Sequence, residues 1–164
     1  MIDSIDRKIM AILQKNARIP NTEIAKQVGM APSGVLERLR KLEHNGIIEG
    51  YTTRLNALGL DFGLLAFVFV RTDDMIGEIK AAKLLGEIPE VLEVHHVAGE
   101  DCFLLKVRAS NTIHFSEVLR EKIGRVKSVR STRSTIVLET VKETTALPID
   151  ETLSPVKGEK TNER

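Results

Sequence analysis

Seven consecutive residues, Leu64-Leu65-Ala66-Phe67-Val68-Phe69-Val70, are apolar without a break. The run is far too short to cross a bilayer, which takes about 18 residues or more, and its valines and phenylalanines favour extended chain. A strand apolar on both faces needs cover on both faces. That requirement constrains the whole second half of the chain.

After this strand the turn Arg71-Thr72-Asp73-Asp74 is followed by Ile76, Ile79, Leu84, Leu85 and Ile88, spaced for a helix that Pro89 stops. "VLEVHHV" and "CFLLKVR" read as two strands around the turn Ala98-Gly99-Glu100-Asp101. Asn111 can cap a further helix to about Gly124, with Ile113, Phe115, Val118, Leu119 and Ile123 as its apolar members. "SVRSTRSTIVLETV" then reads as a long closing strand. The order β-α-β-β-α-β is the split βαβ, ferredoxin-like arrangement, so the fold class is α+β. Both helices of that arrangement pack on one sheet face. The spacing therefore predicts that a second copy covers the other face, which makes this half an oligomerisation module.

The first half has a different period. Ile5, Ile9, Ile12 and Leu13 predict an amphipathic helix over 3–16, capped by Asp3 or Ser4. Pro20 breaks it; Asn21 is placed to cap a short helix, Thr22–Val28, with Ile24 and Val28 inward, and Gly29 supplies its left-handed end. A third helix starts near Pro32, a residue suited to the first helical position, and stops at Asn45-Gly46. Helix, short helix, glycine turn and longer basic helix form a helix-turn-helix unit. Val35, Leu36, Leu39 and Leu42 share the face expected to be buried. Ser33, Gly34, Glu37, Lys41 and His44 lie opposite, with Arg38 and Arg40 on the flanks. A helix that enters a major groove needs small residues at its leading end and cations within reach of phosphates and guanine edges. Ser33, Gly34, Glu37, Arg38, Arg40 and Lys41 are the candidate DNA contacts. "IIEGYTTRL" alternates enough to be a short linker strand, extending to about residue 63.

These readings divide the chain into a helix-turn-helix domain at 1–54, a second domain at 64–145, and a tail at 146–164 expected to lack fixed structure, since it carries Pro, Gly and charge but no apolar stripe. Net charge is only +1, so attraction to a polyanion has to be local. Residues 1–54 carry nine basic and six acidic side chains, and this excess marks the first domain as the DNA-facing one. No leader or membrane-spanning pattern is present, and a cytoplasmic location is expected. Cys102 is the single cysteine, which excludes an intramolecular disulfide; it reads as a packed side chain. His95 and His96 are neighbours on a strand and point to opposite faces, so they do not form a metal pair. His44 and His114 read as surface residues. No metal or cofactor is expected.

The chain from Ile2 to Val141 resembles the Lrp/AsnC, or feast/famine, family of transcriptional regulators. The residues that carry the resemblance are "IDRKIMAILQKNARIPNTEIAKQVGMAPSGVLERLRKLEHNGIIEGYTTRLN", the βαββαβ pattern, "VLEVHHVAGEDCFLLKV" and "STRSTIVLETVK". The resemblance implies a winged-type helix-turn-helix domain joined to a RAM-type ferredoxin-like domain. It also implies assembly into a homodimer or an octamer, double-stranded DNA as partner, and a small effector, commonly an amino acid, held near subunit contacts. Effector residues carried over on this basis are Gly99, Glu100 and Asp101, whose carboxylates and loop N–H groups suit an ammonium and a carboxylate, with Thr132 and Ser134 expected to line the same pocket. Two departures stand out: Ala31 replaces the serine that usually caps the recognition helix, and the loop aspartate, Asp101, comes one place early.

Three functions compete. A DNA-binding regulator that senses an amino acid is favoured. Siroheme decarboxylase subunits resemble the same family and would enlist His95 or His96 for a tetrapyrrole, but no nucleophile-base pair supports an enzyme. A pure effector-binding partner protein would make Arg38 and Lys41 dispensable.

Overall fold

A computed structural model of the chain describes residues 2–75, 78–99 and 101–149. They group into two compact units, one of residues 2–53 with 144–149 and the other Arg54–Glu143.

In the first unit α1 spans Ser4–Lys15. Asp3 is its cap: its carboxylate accepts from the Asp6 amide at 2.9 Å while the Asp6 carboxylate accepts from the Asp3 amide at 3.0 Å, a reciprocal capping box. Helix α2 spans Asn21–Val28 and ends on Gly29 at φ 69°. Here the sequence reading needs correcting, because Pro20 occupies the cap position and Asn21 is already helical. Pro20 is held extended, its carbonyl accepts from Glu23 and Ile24, and no side chain caps the start. Helix α3 spans Pro32–His44. Ile9, Ile24, Ala25, Val35 and Leu39 close the core, with Ile5, Ile12, Leu13 and Ile48 packed around it. Leu36 departs from expectation and is 40% exposed. The buried stripe runs through Val35, Leu39 and Leu42 at steps of four and three, and Leu36 falls to its flank. The expected linker strand is also absent: residues 47–56 form no ladder. A strand exists only with a partner, and none of the described residues supplies one.

In the second unit β1 (Leu64–Thr72), α4 (Lys80–Gly86), β2 (Val91–His96), β3 (Phe103–Ala109), α5 (Thr112–Glu117) and β4 (Val129–Ile136) follow the expected order. The sheet order is β2-β3-β1-β4, antiparallel throughout, with Val68 opposite both Leu105 and Ser134. Helix α4 is shorter than the periodicity suggests; Ile79 precedes it and is exposed, and Ile76 lies outside the described residues. Asn111 caps α5 as expected, accepting from the amides of Ile113 and His114. The helical path continues as a π turn over Val118–Lys122 and a 3-10 turn over Ile123–Arg125. Phe115, Val118 and Ile123 are buried, whereas Ile113 is exposed. Strand β4 ends at Ile136, well short of Val141, because its partner β1 begins at Leu64 and one last bond, Val137 N–H to Leu65 O, exhausts it.

The helix side of the sheet is sealed by Ala66, Val68, Val70, Phe103, Leu105 and Val107 against Ala81, Leu85, Phe115 and Val118. Phe67 and Phe69 are half-buried on the other side, where register sets them opposite Lys106 and Leu104. Lys106 bonds Glu93 at 3.0 Å and also Glu143. Glu143 first, and Glu93 after it, raise the affinity of the Lys106 ammonium for its proton against the opposing effect of burial. Long charged side chains thus shield part of a face that composition alone makes apolar.

Candidate nucleic-acid interface and effector loop

Helix α3 begins without a side-chain cap at Ala31; only the Ala31 carbonyl is used, accepting from Gly34 and Val35. Ser33, Glu37, Arg40 and Lys41 are exposed on the side away from the core. Lys41 Nζ bonds Glu37 Oε1 at 2.6 Å, an i,i+4 pair in which both side chains stay about two-thirds exposed. Its ammonium holds the Glu37 carboxyl below the usual carboxylate range. Arg40 borders a hollow of about 310 Å³ with Leu13, Ile19, Leu36, Glu43 and Tyr51. Gly34 is turned partly inward: a Cβ there would meet Met30 Cε at 3.0 Å.

Arg38 behaves differently from its two cationic neighbours. Its Nη1 reaches Asp3 Oδ2 at 2.6 Å and Asp6 Oδ1 at 2.7 Å. Asp6 is 7% exposed, the one buried charged residue among those described. Burial opposes ionisation of Asp3, but the Asp6 amide and the Arg38 guanidinium outweigh it and hold the carboxyl low. Hydrogen bonds from Asp6 and then Asp3 push the Arg38 guanidinium further toward its charged form. The three cations expected together are therefore separated, Arg40 and Lys41 outward and Arg38 bound to α1.

The loop between β2 and β3 is closed by Val97 N–H to Cys102 O, and Cys102 N–H to Val70 O ties its far end to β1. Gly99 sits at φ 137°, a conformation that disfavours any side chain. Glu100 lies outside the described residues. Asp101 Oδ2 accepts from Arg133 Nη2 at 2.9 Å, and the Arg133 guanidinium lies over the Phe69 ring, 4.1 Å from its centroid. Thr132 and Ser134 pair with Val70 and Val68, so they project from the helix side of the sheet and Arg133 from the other. What joins this loop to β4 is Arg133, which the sequence reading missed, and Phe69 beneath it. The available signal was parity: an arginine on the same alternate set of positions as Phe67 and Phe69, once the register is known.

His95 and His96 do face opposite ways, His95 onto Glu93 at 3.1 Å and His96 against the Phe103 ring. Among the described residues no three His, Cys, Asp or Glu side chains converge as metal ligands, and no helix is long and apolar enough to cross a membrane. The second unit also holds a cleft of about 710 Å³ lined by Arg54, Asn56, Leu65, Arg108, Leu138 and Glu143, among others; none of the expected effector residues lines it.

Comparison with known proteins accounts for both units. The AsnC-type helix-turn-helix domain matches residues 2–43, and the Lrp/AsnC ligand binding domain matches residues 65–147. The chain is 39% identical over 152 residues to the leucine-responsive regulatory protein of Salmonella typhimurium, covering 90% of this chain and 92% of that one. The Escherichia coli protein of the same name is 38% identical over the same span. Among solved structures, a Neisseria meningitidis transcriptional regulator in complex with L-Met superposes with a TM-score of 0.85 at 31% identity, covering 93% of this chain and all of that one. The feast or famine regulatory protein of M. tuberculosis complexed with L-methionine gives 0.84 at 33% identity, covering 92% and 100%. With both domain models matched in order along the chain, the protein belongs to the Lrp/AsnC family of transcriptional regulators.

Proposed function

We propose that the protein regulates transcription by docking α3 in the major groove of duplex DNA, with affinity set by an amino acid held at the β2–β3 loop. The observation that carries the first part is the division of α3. Val35, Leu39 and Leu42 are buried, Arg38 is tied to α1, and Ser33, Glu37, Arg40 and Lys41 are left facing out. Lys41 gives up its exposed bond to Glu37 at small cost, since such pairs are worth about 0.3–0.5 kcal/mol, and takes a phosphate instead. Arg40 serves a second phosphate, while the small, exposed Ser33 lets the leading end approach the bases, with Gly34 beside it.

For the effector, Arg133 and Asp101 form an exposed pair that a zwitterion can open, its carboxylate on Arg133, its ammonium on Asp101 and an apolar side chain on Phe69. The L-Met and L-methionine complexes of the two relatives support an amino acid of this kind. A ligand seated instead on the helix side of β4 would meet Thr132 and Ser134, so Arg133→Ala and Ser134→Ala separate the two seats. A homodimer that sets the spacing of two recognition helices is supported by the exposed Leu55, Leu58, Leu138 and Val141, which a neighbouring copy would cover.

The test is fluorescence anisotropy on duplexes selected from a random pool, with and without L-methionine at fixed salt. The reading predicts specific binding shifted several-fold by the amino acid and a shift lost in Arg133→Ala. Equal affinity for every duplex, or a shift lost in Ser134→Ala alone, contradicts it.

A further inference from the structure

The chain leaves the helix-turn-helix unit after Thr53 and returns to it at Thr144. On its return it is gripped at one residue. Gln14 Nε2 donates to Leu147 O at 3.0 Å, and Leu147 N–H donates to Gln14 Oε1 at 2.6 Å. A side-chain amide carries the same donor and acceptor as a peptide group, so Gln14 acts toward Leu147 as one residue of a neighbouring strand would.

The segment is built to be held this way. Pro148 drives the preceding Leu147 toward extended backbone, in which N–H and C=O of one residue point to the same side. Upstream, the Ala146 amide donates to Thr144 Oγ1 at 3.1 Å, which fixes the approach. Gln14 sits on α1, the helix whose first turn holds Arg38 of α3 through Asp3 and Asp6. The segment is also continuous with β4, the strand that bears Arg133.

We propose that Gln14 is a docking site for the extended segment 144–149 of the same chain, and that this strap carries effector occupancy from β4 to α1 and so to α3. Its second half rests on the effector reading above. Both partners are exposed and compete with water, so the contact releases readily, as a strap that signals by letting go must.

Hydrogen exchange of the full chain tests docking without reference to any ligand. The Leu147 amide is expected to exchange about tenfold faster in Gln14→Ala than in the wild type, and also faster in Gln14→Asn, whose shorter arm cannot span both bonds. Equal rates in all three proteins overturn the docking site. Anisotropy on a bound duplex tests the coupling: Gln14→Ala is expected still to bind L-methionine by calorimetry, with an affinity raised by no more than a few-fold because no docked strap has to be released, while the ratio of duplex affinities with and without it falls toward one. A ratio kept at the wild-type value overturns the coupling. If the wild type binds duplex but does not respond to L-methionine, the effector reading fails and the coupling fails with it, whereas the Leu147 exchange still decides the docking.

Discussion

Two adjacent turns of α3 carry cations with opposite fates, Arg38 toward α1 and Lys41 toward solvent. The Asp6–Arg38 contact is mostly sheltered, and truncating one side leaves a carboxylate without its partner, so Arg38→Ala is expected to destabilise the N-terminal unit by about 1–3 kcal/mol, read as a lower chemical-denaturation midpoint. Asp3 adds a pH dependence. Its carboxyl is held below the ordinary value in the folded chain, so its contribution is fully present above the ordinary carboxylate pKa near about 4 and is lost as acid protonates the folded form below it. Asp3→Asn keeps a good helix cap and is expected to flatten the acid limb of stability below about pH 4; an acid limb identical to that of the wild type contradicts the assignment. Spacing alone puts Arg38 and Arg40 alike on the flanks of α3, beside the outward Lys41, and offers all three as DNA contacts. The partners that distinguish them lie 35 and 32 residues away in sequence, and periodicity along one helix says nothing about which carboxylates a neighbouring helix presents.

Among the elements, those with a local cause were readable from sequence: the Asn111 cap, an α1 cap narrowed to Asp3 or Ser4, the Gly29 stop, the proline start of α3 and the order of the four strands along the chain. Those set by a partner were not. The length of β4 depends on where β1 begins, and the side taken by Thr132, Arg133 and Ser134 depends on register, which separates the loop's true neighbour from the two hydroxyls expected there. The segment after Gly46 reads as a strand by alternation, yet none of the described residues pairs with it. The uncapped start of α3 gives a prediction at this scale. Ala31→Ser supplies the missing acceptor and is expected to stabilise the N-terminal unit by about 1 kcal/mol, seen as a raised melting midpoint; no gain would mean that the amides of the first turn are already satisfied.

In the molecule as a whole, four of the exposed apolar residues lie on segments that flank the sheet: Leu55 and Leu58 before β1, Leu138 and Val141 after β4. Covered by a second copy, they leave water, and the half-buried Phe67 and Phe69 with them. Replacing Leu138 and Val141 with glutamate is accordingly expected to lower the mass seen by sedimentation, and with it operator affinity, because two recognition helices would no longer be held at a fixed spacing. An unchanged mass would remove that rim from the assembly contact. The central claim is narrower, that α3 meets DNA through its outward cations while Arg38 only holds it in place. The most direct measurement is the salt dependence of duplex affinity for the wild type, Arg38→Ala and Lys41→Ala. We predict a slope of log affinity against log salt reduced by about one per engaged helix in Lys41→Ala and unchanged in the weaker-binding Arg38→Ala; a slope reduced in Arg38→Ala and preserved in Lys41→Ala contradicts the account.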